Sequence, residues 1–66
     1  VPILRNLRRI RELRAWSQVD LSQKTGIAQR TISELESGRR SPQPRTTRKL
    51  ARALKVDPAE LIGDQL

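Results

Sequence analysis

The chain contains no cysteine and no histidine. Without cysteine there is no disulfide framework and no zinc-thiolate site to supplement a small core. Without histidine the chain lacks the most frequent general base and the most frequent metal ligand. Composition therefore offers catalysis very little, and no cofactor is expected. Long apolar runs are missing too: no stretch approaches membrane-spanning length, and no signal-peptide pattern opens the chain. At 66 residues, one domain covering 1–66 is the most that fits, with a core that tolerates little waste. The chain opens Val1-Pro2 rather than with methionine, as expected of a processed product or a piece of a longer protein.

What is abundant is positive charge, with a net value of +7. Between Arg39 and Lys55 there are seven basic residues and no acidic one, and Arg5, Arg8, Arg9, Arg11 and Arg14 cluster near the start. Basic clusters on a small domain favour a polyanionic partner. The bland alternative is a set of solvated helix faces. Charge alone does not separate DNA from RNA or an anionic membrane surface.

The apolar spacing predicts five short helices and no strand. The first covers about 3–14, from the recurrence of Leu4, Leu7 and Ile10. Ser17 is a good N-cap, Asp20 three residues later makes a short-armed capping box, and Trp16 and Leu21 can staple across it. The second helix then spans about 18–25 and stops at Gly26, and the third spans about 29–37 and stops at Gly38. Ile27 and Ile32 repeat the staple spacing. Pro42 and Pro44 exclude helix interior, but Pro44 suits the first position of a fourth helix over about 44–54, burying Leu50, Ala51 and Leu54. Asp57, Pro58 and Glu60 form an entry signature for a fifth helix that ends at Gly63, with Val56 stapling to Leu61.

The stretch from Ser17 to Gly38 is the most informative. Its two helical patterns are separated only by Thr25-Gly26-Ile27, which leaves room for one sharp turn. The second pattern keeps Ala28, Ile32 and Leu35 inward and shows Gln29, Arg30, Ser33 and Glu34 on the other side. A helix-turn-helix builds in this way the helix that enters the DNA major groove. Glutamine can pair with adenine at two points, arginine with guanine N7 and O6, and glutamate can accept from cytosine. Glu34 is the less secure of these, because phosphates repel a carboxylate; it could instead orient Arg30 on the same face.

Gln18 opens the second helix, where free backbone N–H groups favour a phosphate. Arg39, Arg40 and Arg45 flank the loop and the start of the fourth helix, well placed to clamp phosphates. Arg9 and Lys24 are weaker candidates. Arg48, Lys49, Arg52 and Lys55 are spread around the fourth helix, so several are expected to be plain solvated charges. Asp57, Glu60 and Asp64 could suggest a metal cluster, but capping accounts for the first two.

In order along the chain, Leu-Arg-Arg-Ile-Arg, Ser-Gln-x-x-Leu, Thr-Gly-Ile, Ile-Ser-Glu-Leu-Glu-Ser-Gly and Leu-Ala-Arg-Ala-Leu resemble the Cro/repressor-type (Xre-like) helix-turn-helix family of bacterial and phage regulators. No single piece is specific; together, from about Leu4 to Ile62, they are. The resemblance implies an all-α, lambda-repressor-like bundle of five helices, with the helix-turn-helix at about 17–37. It implies base reading by Gln29, Arg30, Ser33 and Glu34, a backbone contact by Gln18 that also braces Gln29, and an ion pair between Arg11 and Glu36. It further implies a cytoplasmic, nucleoid-associated protein that binds double-stranded DNA, most simply a repressor acting as a homodimer on a palindromic operator.

Antitoxin roles with a toxin partner, and restriction-controller roles, share this domain. A protein-interaction module on the same fold would show an apolar outer face on the third helix, which Gln-Arg-Ser-Glu is not. A basic peptide folding on a membrane surface would not need the turn glycines and staples. Leu61, Ile62 and Leu66 suit either a dimer patch or the core of one copy.

Five positions depart from the family pattern. Ala15 and Lys55 stand where glycine is common, Ala28 cannot cap the third helix, and Thr47 and Arg48 occupy positions that are often apolar. Marginal stability is the expected consequence.

Overall fold

The computed structural model describes residues 4–62. It contains α1 (Leu7–Leu13), α2 (Gln18–Thr25), α3 (Gln29–Ser37), α4 (Pro44–Leu54) and α5 (Pro58–Ile62), with no strand among the described residues. The fold is all-α. α3 packs on α1 and α2, while α4 packs on α2 and α5. Leu4, Leu7, Ile10, Leu21, Ile32, Leu35, Leu50, Ala51, Leu54 and Leu61 form the core. Leu61 thus belongs to the core of one copy; Gly63, Asp64 and Leu66 lie outside the described residues.

The starts of α2 and α5 follow local chemistry. Ser17 Oγ accepts from the Asp20 N–H at 3.0 Å, and the Asp20 carboxylate accepts from the Ser17 N–H at 2.8 Å. This exchange satisfies two backbone donors that a helix start leaves open. It also holds the Asp20 carboxyl below the usual aspartate range, chiefly through the Ser17 N–H. At α5 the Glu60 carboxylate accepts from the Asp57 N–H at 3.0 Å. The Glu60 carboxylate is therefore engaged in capping. α3 has no such cap, since Ala28 makes no side-chain hydrogen bond there.

Three helices end in the same closure. After α1, α3 and α4 the chain turns back through pairs of N–H bonds: Trp16 to Arg11 and Ala15 to Glu12, Arg39 to Glu34 and Gly38 to Leu35, Val56 to Ala51 and Lys55 to Arg52. This Schellman geometry needs a left-handed residue at its corner. Gly38 supplies it with φ of 80°, but the other two corners are Ala15 and Lys55, each with φ of 60°. The two glycine departures therefore fall where a Cβ is strained, by roughly 1 kcal/mol each. α2 ends at Gly26, also left-handed, with its N–H bonded to Ser22. A Cβ on Gly26 or Gly38 would meet nothing within 4 Å, so backbone conformation rather than crowding favours glycine there.

Two features differ from expectation. α1 begins at Leu7, not near residue 3, because the Asn6 N–H bonds the Leu61 carbonyl at 2.9 Å and its side-chain amide bonds the Glu60 carbonyl at 3.0 Å. These bonds tie the approach segment to α5 rather than to a longer helix. On α4, the basic residues are less scattered than expected. Arg45, Arg48, Lys49, Arg52 and Lys55 are all exposed, opposite buried Thr47, Leu50, Ala51 and Leu54. At about 100° per residue the four within the helix, Arg45, Arg48, Lys49 and Arg52, are confined to an arc of about 100°. Thr47 is tolerated in the interior because its hydroxyl donates to the Gln43 carbonyl at 3.2 Å.

Candidate nucleic-acid interface

Burial of Ile32 and Leu35 fixes the rotation of α3, and this turns Gln29, Arg30 and Ser33 outward into solvent. Arg30 is the most projecting of them, its side chain 90% exposed, whereas that of Glu34 is 25% exposed. Arg39 and Arg40 follow directly after the left-handed turn at Gly38, and Arg45 lies in the first turn of α4; all three are exposed. The turn between α2 and α3 is closed by Thr25, whose hydroxyl donates to the Leu21 carbonyl at 2.8 Å and accepts from the Ile27 N–H at 3.2 Å.

Behind this face, one carboxylate ties three helices together. Glu36 on α3 accepts from Arg11 on α1 through Nε at 2.6 Å and Nη2 at 3.1 Å. The Gln18 side-chain amide at the start of α2 donates to the same Glu36 at 3.0 Å. Arg11 completes its fork with a 2.8 Å bond to the Trp16 carbonyl. Both partners of the ion pair are buried, and the bond to Glu36 holds the Arg11 guanidinium above its ordinary pKa. No buried side-chain polar atom among the described residues lacks a partner. The consequence is geometric: the first turn of α2 and the outer face of α3 are held in one register, with Gln18 half-buried between them.

A shallow groove of about 170 Å³ opens above that network, lined by Arg8, Gln18, Ser33, Glu36 and Ser37. Arg8 and Ser37 were not singled out from sequence. Arg8 lies a helix away from Gln18 in the chain, and its only local signal is the Arg8–Glu12 pair at 3.1 Å. Lys24, a weak phosphate candidate by sequence, sits 4.6 Å from the centroid of the Trp16 ring. There the cation meets the aromatic face, which is a stabilising contact in its own right.

Glu34 and Arg40 face each other across the Gly38 turn. Arg40 Nε and Nη2 approach the same Glu34 oxygen at 2.9 and 2.8 Å, while Arg30 Nε lies 3.5 Å from the other oxygen. Hydrogen bonding from Arg40, with the charges of Arg40 and Arg30, holds the Glu34 carboxyl below the usual glutamate range. The described residues contain no group of acidic side chains able to hold a metal ion, and no helix long and apolar enough to cross a membrane.

Residues 7–61 match the helix-turn-helix family. The chain belongs to the Xre-like branch of that family. The family is one of DNA-binding transcriptional regulators, and the relatives are named as uncharacterized HTH-type transcriptional regulators. An uncharacterized HTH-type transcriptional regulator of Sinorhizobium fredii, y4dJ, is 37% identical over 57 residues, covering 86% of this chain and 74% of the relative. The HTH-type regulator RghRB of Bacillus subtilis is 41% identical over 63 residues, 94% of this chain but 45% of its own length. An HTH-type regulator of Mycobacterium tuberculosis is 38% identical over 52 residues and is covered only to 20%. The helix-turn-helix domain thus spans less than half of the latter two proteins.

Proposed function

We propose that this helix-turn-helix domain binds double-stranded DNA sequence-specifically, with α3 in the major groove, and that it serves a repressor. The observation that carries this reading is the division of α3 into a buried apolar side and an exposed Gln29, Arg30 and Ser33 side, flanked by unburied arginines. Gln29 would pair with adenine and Arg30 with guanine, and the Ser33 hydroxyl suits either donor or acceptor on a base edge. Arg39 and Arg45 would hold phosphates, as would Arg40, and Gln18 with Arg8 would meet the backbone beside the groove between α1 and α3.

An α-helix reads only a few base pairs, so one copy gives a short site. Two copies on a palindromic operator, with half-sites roughly 34 Å apart, would lengthen it. The test is selection from a pool of randomised duplexes. The expected result is a palindromic motif with half-sites about one helical turn apart, and lowered transcription when that motif overlaps a promoter. A pool that stays random would overturn the reading.

A further inference from the structure

We propose that Glu34 is a positioning residue that aims Arg30 and Arg40 at the DNA, rather than a reader of bases. The inference rests on the reading of α3 given above. It begins from where the carboxylate is already engaged. One oxygen takes both Nε and Nη2 of Arg40, at 2.9 and 2.8 Å, and the other faces Arg30 Nε at 3.5 Å. A cytosine amino group would have to compete for this carboxylate with the Arg40 fork and the nearby Arg30 cation, and charge-assisted bonds are the stronger kind.

The arrangement also solves an electrostatic problem. A lone carboxylate on the outer face of α3 would be repelled by the phosphates on either side of the groove. Between two guanidinium groups it belongs to a trio with net positive charge, which the phosphates attract. Glu34 is charged in this setting, since its pKa is held down by the same partners.

Each arginine gains something different. Arg40 lies in the loop beyond Gly38, where no helix restrains its long side chain. Paired through Nε and Nη2, it keeps its Nη1 amino group free to donate outward, with its guanidinium plane already oriented. Arg30 is almost wholly exposed, and the carboxylate four residues on biases it toward the Glu34 side of α3. A base contact by Arg30 and a phosphate contact by Arg40 are thereby coupled through one side chain. Seating Arg40 on a phosphate therefore favours the register that also presents Arg30.

The experiment is the randomised-duplex selection run in parallel on the wild-type chain, Arg30→Ala, Glu34→Gln and the double variant, each shown by thermal melting to be folded. Arg30→Ala is expected to erase the preference at one motif position. Glu34→Gln should weaken the preference at that same position by roughly tenfold, and the double variant should look like Arg30→Ala alone. If Glu34→Gln instead relaxes a different position, Glu34 reads a base directly and the inference is overturned. No change at any position would overturn it equally, by reducing Glu34 to a surface charge. A wild-type pool with no motif would be a distinct failure, removing the reading of α3 and this inference together.

Discussion

Arg11 on α1 and Glu36 on α3 form a buried, two-point ion pair, at 2.6 Å and 3.1 Å. The pair also takes in Gln18 from α2 and the Trp16 carbonyl, so a single carboxylate sets how α1, α2 and α3 meet. Removing one member leaves the other's charge buried and without a counter-charge, beside the neutral Trp16 carbonyl or the Gln18 amide. Glu36→Ala is expected to cost about 3–5 kcal/mol, the usual penalty for breaking a buried pair. Glu34→Ala, although it removes contacts to two arginines, should cost clearly less, because those contacts lie in solvent. Urea unfolding of both variants checks this, and equal losses would contradict it.

Ala15 and Lys55 occupy left-handed corners that glycine fills without strain. Ala15→Gly and Lys55→Gly should each stabilise the fold by about 0.5 kcal/mol, the roughly 1 kcal/mol relief of strain being partly offset by a freer unfolded chain. The check is a higher urea midpoint with an unchanged slope for each single variant.

The Asp20 carboxyl is held below its ordinary pKa by the cap at Ser17. A group whose folded pKa is depressed contributes stability above its unfolded pKa and loses it as pH falls through the folded one. The fold should therefore weaken in acid, below the ordinary aspartate range. Asp20→Asn should have a lower melting temperature near neutrality and a smaller further drop over that acidic interval. Parallel melts across the acidic range measure the difference.

If α3 reads bases while the loop arginines hold phosphates, the two kinds of contact fail differently. Arg39→Ala should weaken binding to every sequence alike and reduce the slope of log affinity against log salt by about 1. Gln29→Ala should instead change the preferred base at one position. Salt titrations and selection on both variants separate these outcomes; uniform loss in both would refute the division.

Much of this architecture could be read from short stretches of chain. The Ser17–Asp20 box, the stops at Gly26 and Gly38, Pro44 at the first position of α4 and the Asp57–Glu60 entry are each decided within a few residues. The outward Gln29, Arg30 and Ser33 followed from the spacing of Ile32 and Leu35, but Ala28, expected inward, is exposed, and most of the Glu34 side chain, expected outward, is covered. The start of α1 did not, because Asn6 is claimed by carbonyls of α5, 54 residues away in the case of Glu60. Nor did the role of Arg14, which the sequence shows only as one of the basic residues near the start. Its Nε and Nη2 both donate to the Leu54 carbonyl at the end of α4, at 3.2 and 2.8 Å. That carbonyl is one of those a helix end leaves without an internal partner.

The sequence by itself determined where the helices lie, which faces they bury and which side chains α3 shows, because caps, turns and helical periodicity act over a few residues. The tertiary structure alone decided what each polar group is bonded to. The geometry of Glu36 between Arg11 and Gln18, Arg14 on Leu54 and the start of α1 on α5 all depend on distant segments arriving together. Glu34 between Arg30 and Arg40 depends on the path of the chain through Gly38. The physical reason is range: a hydrogen bond is made or missed within a few tenths of an ångström, and spacing along the chain does not specify that distance.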